Sequence, residues 1–186
     1  MRVAGAAAVM LAALAVSIPT GTGRTADRTA RVTSQCLADE TLIYSCRFGS
    51  RLASVCTGSG QVHLRSGPRG KSDLDIVNAS DWSNVRIGMV AGQMGGSQHH
   101  IRFTQGDAHY IVLHGIDGQM AERPGRTYSG IVTVYGPNGE WEGSDQTCRR
   151  GAVIHPQFEE AVAALAPEAL RDGLVETEGE AFDGWF

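Results

Sequence analysis

After one apolar stretch at its start, the chain places its hydrophobic residues in short alternating runs separated by Gly, Pro, Asn and Asp. Alternation over about four to eight residues is the period of a half-buried strand. Runs at 41–48 and 52–57 flank Gly49-Ser50-Arg51 and predict a hairpin. A brief run at 61–65 precedes the breaker Gly67-Pro68-Arg69-Gly70, and 74–77 and 82–90 read as further strands. Two hairpins are clearer: 99–104 with 108–114 about Gln105-Gly106-Asp107, and 128–135 with 140–146 about Pro137-Asn138-Gly139. Closely spaced strands with glycine turns predict a mainly β fold, an antiparallel sandwich or a partly open barrel of short hairpin-connected strands.

After Cys148 the period changes. Phe158, Val162 and Leu165 fall at i, i+4 and i+7, the stripe of an amphipathic helix starting near Pro156. Pro167 opens a second short turn through Leu170, ended by Gly173. The expected organisation is a β-rich domain at 36–150, a short C-terminal helical segment at 151–173 packed on it, and an acidic tail at 174–186 closing on Phe182, Trp185 and Phe186.

The start of the chain has a different character. Arg2, an apolar run over 3–18, Pro19 and the small residues Gly21 and Gly23 have the form of a secretory signal peptide at 1–23, with Ala26 and Ala30 as alternative cut positions. The run spans roughly 16 residues, short of the ~20 a spanning helix needs, and a second such run is missing from the sequence. A polar, aperiodic lead-in at 24–35 follows. These features predict a periplasmic or secreted protein with no membrane span in its mature part. A terminal Phe186 also occurs in outer-membrane barrels, but a helical segment and a glycine-broken tail stand where the last barrel strand would be.

Export gives the four cysteines a meaning: Cys36, Cys46, Cys56 and Cys148 read as two structural disulfides. With neither CxxC nor CxxH spacing, a zinc knuckle or thioredoxin-like site has no support. If Gly49-Ser50 is a two-residue turn, Phe48 pairs with Arg51 and Ile43 with Cys56, so Cys46 and Cys56 point to opposite faces. A three-residue loop makes them diagonal neighbours, also poorly placed for a bridge. Cys36 precedes the first strand at the Cys56 end of the hairpin. The expected pairing is Cys36–Cys56 and Cys46–Cys148.

Charge narrows the partners. The net charge is −4, and residues 156–186 hold eight acids against Arg171 alone. Nucleic acid, which needs a basic footprint, is excluded as the main partner.

Candidate chemistry gathers on the 99–114 hairpin. A three-residue loop at 105–107 would put Arg102, Tyr110, His100 and His114 together on one polar face, with His99, Ile101, Phe103, His109, Ile111 and Leu113 on the other. Those first four residues are the candidate binding surface, since aromatic and arginine anchors carry most interface energy. His100 and His114 with a distant acid could instead hold Zn²⁺ or Cu²⁺, but HxH and HxxxH spacings are missing, and neither a metal nor a cofactor is expected. Gly58-Ser59-Gly60 and Gly95-Gly96-Ser97 lack the setting of a nucleophile elbow. The run Gly92-Gln93-Met94-Gly95-Gly96 leads into a strand, not a helix, and so offers no anion site. Asp73 with Asp75, and Glu140 with Glu142, alternate on strand faces beside turns, where a solvated surface is the default. Asn78-Ala79-Ser80 matches a glycosylation sequon.

Cys36, Glu40, Tyr44-Ser45-Cys46, Ser54-Val55-Cys56, the glycine-rich approach to Ile101-Arg102-Phe103, and Gly106, Tyr110, Val112 and Cys148 together resemble a family of small, uncharacterised exported (periplasmic) proteins of Gram-negative bacteria with a four-cysteine frame. The resemblance covers about 36–186. It implies a periplasmic β-rich domain with a terminal helical segment and carries no catalytic residues. The resulting expectation is a non-catalytic β-domain that binds a protein or glycan of the cell envelope, inhibitor- or immunity-like. A metal- or carboxylate-dependent cell-wall hydrolase and a purely structural envelope protein are the alternatives.

Overall fold

The protein was analysed as a computed structural model, which describes residues 33–137, 141–149 and 151–176. The signal peptide, the lead-in up to 32, the Asn138-Gly139 turn and the tail from 177 lie outside the described residues.

Two meanders follow each other along the chain. The first comprises β1 (Thr41–Phe48), β2 (Arg51–Gly58), β3 (Gln61–Pro68) and β4 (Leu74–Val77). The second comprises β5 (Val85–Ala91), β6 (Ser97–Gln105), β7 (Ala108–Ile116), β8 (Thr127–Tyr135) and β9 (Trp141–Thr147). Each is completed at its first strand by a short late strand. β10 (Ala152–Ile154) pairs antiparallel with β1, and β11 (Val175–Glu176) pairs parallel with β5. The sheets therefore read β10-β1-β2-β3-β4 and β11-β5-β6-β7-β8-β9. Two helices, α1 (Phe158–Ala163) and α2 (Glu168–Arg171), lie between the late strands. The mainly β, two-sheet architecture and the short C-terminal helical segment agree with the sequence reading.

The inner faces share one core. Tyr44, Val55, Leu64 and Ile76 from the five-stranded sheet meet Val85, Ile87, Ile101, Phe103 and Val112 from the six-stranded one. Burial of such residues, worth roughly 1.5–3 kcal/mol each, holds the layers together. Tyr44 also spans the sandwich: its hydroxyl donates to the Gly130 carbonyl at 3.0 Å and lies 3.1 Å from Cys148 Sγ. Burial pushes its pKa well up, so it stays a neutral donor. Phe158, Val162 and Ala166 close the core from the helical segment.

Both disulfides pair as expected, Cys36–Cys56 with Cα atoms 5.4 Å apart and Cys46–Cys148 with Cα atoms 5.3 Å apart. Phe48 does face Arg51 across a two-residue turn, but a bulge between Leu42 and Tyr44 puts Leu42, not Ile43, opposite Cys56. Cys46 still faces inward and reaches the other sheet, while Cys56 faces outward to meet Cys36.

Three expected boundaries move. Residues 152–154 are a strand, so the helical segment begins at Phe158, not 151. The start of the acidic tail belongs to the fold, since Leu174 is in the core and Glu176 is buried in β11. The lead-in is fastened from residue 33 onward. Ser45 Oγ donates to the Thr33 carbonyl at 2.5 Å, and the Gln35 main chain donates to Ser54 Oγ at 2.9 Å.

Candidate functional site

The β6–β7 hairpin decides where the candidate residues stand. Its loop has two residues, Gly106-Asp107, with Gln105 opposite Ala108. Gly106 takes a φ of 60° at the first turn position, which glycine adopts without strain. One residue fewer than expected in the loop changes which side chains share a face. His100 now pairs with Leu113 and Arg102 with Ile111, whereas Tyr110 pairs with Phe103 and His114 with His99. Arg102 and His100 are on the outer face of the six-stranded sheet, and Tyr110 and His114 are on the inner face. The four do not form one surface, and His100 and His114 cannot ligate one ion together.

On the outer face a buried acid organises its neighbours. Glu176 Oε2 lies 2.8 Å from His100 Nε2, and Arg102 donates from both Nε, at 2.8 Å, and NH2 to Glu176 Oε1. Only Gly88 of β5 permits this seating, because a Cβ there would lie 2.5 Å from His100 Cε1. Burial pushes the Glu176 carboxyl up, but the hydrogen bonds from His100 and Arg102 outweigh it and hold the group below the usual range. Arg102 NH1 also donates to Thr104 Oγ1 at 3.1 Å. His109 Nε2 donates to the Gly136 carbonyl at 2.8 Å, so its Nδ1 accepts from Thr104 Oγ1 at 3.0 Å. Burial keeps His109 neutral by lowering its pKa. The network fastens β11 to the sheet.

On the inner face, His114 stacks on His99 with ring centroids 5.1 Å apart and meets the edge of Phe158 at 4.8 Å. His99 Nδ1 donates to Glu159 Oε1 at 2.6 Å. Burial, and then the neighbouring His99, lower the His114 pKa. These rings dock α1 against the sheet. Tyr110 lines a separate cleft of about 280 Å³ between the sheets, with Phe48, Arg51, Thr133 and Gln146.

Other candidates have structural roles. Ser59 and Gly60, at φ 51° and 76°, are the β2–β3 turn. Asp73 pairs with Arg51, and Asp75 with Arg65 and His63, so the two carboxylates do not act together. Asn78 spends its side chain on the Val62 amide, at 2.9 Å, and the Ala79 carbonyl, at 3.2 Å. Glu140 is outside the described residues. Among the described residues one group of three ligand-type side chains comes together, Cys36, Glu40 and Cys56, and its two sulfurs are a disulfide.

The exposed feature that sequence reasoning missed is at one end of the six-stranded sheet. The 92–96 and 117–126 loops adjoin there, joined by a hydrogen bond from the Gln119 amide to the Met94 carbonyl at 3.1 Å. Met94 and Met120 are 64% and 74% exposed, and Met89 and Ile116 are 50% and 37% exposed. Ile116 and Met120 line a groove of about 390 Å³ with Val90, Gly92, Gly96, Gln98 and Tyr128. Tyr128 donates to Gln98 Oε1 at 3.0 Å, and the Gln98 amide nitrogen is buried with no partner among the described residues. The glycine run Gly92-Gln93-Met94-Gly95-Gly96 was the available signal; its glycines allow the two loops to approach, and its methionine is presented outward. Comparison with protein-family models, with curated proteins and with solved structures finds no match for this chain.

Proposed function

We propose that the protein is an exported, non-catalytic, disulfide-stapled β-domain that binds a protein of the cell envelope, as an inhibitor or immunity protein does, through the loop end of its six-stranded sheet. The carrying observation is that exposed Ile116 and Met120 line the groove, and that exposed Met94 belongs to the 92–96 loop hydrogen-bonded to the 117–126 loop beside it. Clustered exposed apolar residues mark interaction sites, and methionine adapts its shape to a partner surface. Met94 is also held at φ 54°, a left-handed conformation that costs a non-glycine residue free energy and points to a constraint beyond packing. Ile116 and Met120 supply the exposed apolar wall of the groove, an adaptable surface that favours a protein segment over a glycan. Export is supported by the two disulfides and by the pattern of residues 1–23. The four-cysteine frame supports membership of the exported family it resembles.

The test is a photo-cross-linking residue placed at Met120 or, as a control, at the exposed turn residue Arg69, in cells exporting the protein. The reading predicts a discrete protein adduct from position 120, abolished by Met94→Ser in the same chain, and none from position 69. Equal adducts from both positions, or an adduct unaffected by Met94→Ser, would contradict it. Adducts to glycan would move the protein to the glycan-binding class, and no adduct at all would favour the structural role.

A further inference from the structure

The facing sides of the two sheets are not apolar throughout. Strand pairing puts Ala53, Ser66 and Leu74 side by side across β2, β3 and β4. Across β7, β8 and β9 it sets Tyr110 beside Thr133 and Ile131 beside Gln146. Inward positions of a sandwich ordinarily carry apolar residues, yet Ser66, Thr133 and Gln146 occupy three of them. These side chains make no hydrogen bond among the described residues, which is costly in a closed core. They border instead the cleft of about 280 Å³ that Tyr110 also lines.

An apolar bed with a few convergent polar groups is the chemistry of a small-molecule site. Here Ala53, Leu64 and Ile131 are the buried bed, and Phe48 and Tyr110 bring an aromatic ring from either sheet. A cavity of about 150 Å³ takes a benzene ring, so this cleft has room for one ring with a short polar substituent. Its charge is balanced. Arg51 donates from NH1, at 3.0 Å, and from NH2, at 2.5 Å, to the two oxygens of Asp73, and a guanidinium already paired in this way favours a neutral ligand over an anion. Burial, and then the neighbouring Tyr135, push the Tyr110 hydroxyl up, so it stays protonated and able to donate.

We propose that this inter-sheet cleft is a binding site for a small, neutral aromatic molecule. The ring of the ligand lies on the apolar bed with Phe48 and Tyr110 beside it, where aromatic pairs add to area burial. Its polar substituent exchanges hydrogen bonds with Ser66, Thr133 and Gln146, the inward polar groups that the fold itself leaves unused. The inference does not depend on the proposed loop-end partner surface, whose groove has a separate set of lining residues.

Titration of the purified, disulfide-bonded protein with three probes, followed by ¹⁵N NMR, tests it. Benzamide is neutral and aromatic, cyclohexanecarboxamide keeps the amide without the aromatic ring, and benzoate keeps the ring but is an anion. Benzamide should give saturable shifts of the Gln146 side-chain amide and of the Ser66 and Thr133 main-chain amides, leaving the 92–96 and 117–126 loops unmoved. The other two probes should bind several-fold more weakly. A Ser66→Ala, Thr133→Val double variant, with folding verified by circular dichroism, should weaken benzamide several-fold. Absence of saturable shifts in the folded unmodified protein, shifts confined to the two loops, or equal or tighter binding of cyclohexanecarboxamide or benzoate would each overturn the proposal. So would unchanged benzamide affinity in a folded double variant; the three probes decide the matter on the unmodified chain if that variant does not fold.

Discussion

The outer faces of the two sheets carry ion clusters of opposite design. On the five-stranded sheet the centre is a cation. Arg65, buried, donates from NH1 and from NH2, at 2.9 Å, to Glu40 and from Nε, at 2.9 Å, to Asp75. On the six-stranded sheet the centre is an anion, Glu176, between His100 and Arg102. In both, one member comes from a segment outside the meander, Glu40 from the stretch before β1 and Glu176 from the last strand. The clusters are thus fasteners that tie chain ends to sheet faces. They differ in what backs them up. The 33–40 segment is also held by Cys36–Cys56 and by Gln35, which donates to the Gly67 and Pro68 carbonyls, whereas no disulfide holds Glu176. A histidine-rich, charged hairpin therefore does structural work here, and the proposed recognition surface is the separate loop end.

Separating covalent from ionic fastening gives the largest expected effects. Cys46–Cys148 joins residues 102 apart in sequence and crosses between the sheets. Replacing both by Ala should cost about 4–5 kcal/mol by the chain-entropy account, against about 3 kcal/mol for Cys36 and Cys56 with their shorter loop. Denaturant melts of the two double variants check both the size and the order.

Breaking each ion cluster comes next. Arg65→Ala removes the ion partner of the partly buried Glu40, and Glu176→Ala removes the buried carboxylate that joins His100 and Arg102, so each should cost up to about 3–5 kcal/mol. The consequences should differ locally. Hydrogen exchange should show the 33–40 segment still protected in Arg65→Ala, because its disulfide remains, while β11 and the facing amides of β5 lose protection in Glu176→Ala. Equal local loss in both variants would remove the distinction.

Acid should separate the sheets in the same sense. Burial lowers the pKa of His109 and His114, so the unfolded state takes up their protons first and stability begins to fall as pH drops below about 6.5. Glu40, held down by the Arg65 hydrogen bond, and Glu176 contribute stability that is present above the usual carboxylate range and lost as pH falls through their depressed values. Both histidines belong to β7. Between about pH 6.5 and 5, exchange should therefore accelerate in β6–β7 before β2–β3, and both sheets should weaken only at lower pH.

The smallest effect is expected at the loop end. Met94→Ser and Met120→Ser alter exposed side chains and should change stability by no more than about 0.5 kcal/mol.

Much of this architecture was legible in the sequence, and the exceptions share a cause. The period-2 runs marked every strand of both meanders, and the turn chemistry at Gly49-Ser50 gave the facing directions that pair the cysteines. β10 and β11 were missed because strands of three and two residues have no period to read, and their partners lie more than eighty residues earlier for β11 and more than a hundred for β10. The candidate binding face failed for a single reason, one residue of loop length at 105–107. Strand faces alternate, so that one residue moved Tyr110 and His114 to the side opposite His100 and Arg102. The methionines of the loop end carry no periodic signal, and only their exposure in the fold distinguishes them from core residues.

The claim that recognition is at the loop end, and that the histidine face is a fastener, is tested most directly by cross-linking from Ile116 at the groove rim. The adduct yield in exporting cells would be compared among three chains: one carrying only the cross-linker, one with Met94→Ser and Met120→Ser, and one with His100→Gln, each below its own melting temperature. The account predicts that the methionine variant keeps its melting temperature and loses the adduct, while His100→Gln melts lower and keeps it. Loss of the adduct in a folded His100→Gln protein, with full yield from the methionine variant, would contradict it.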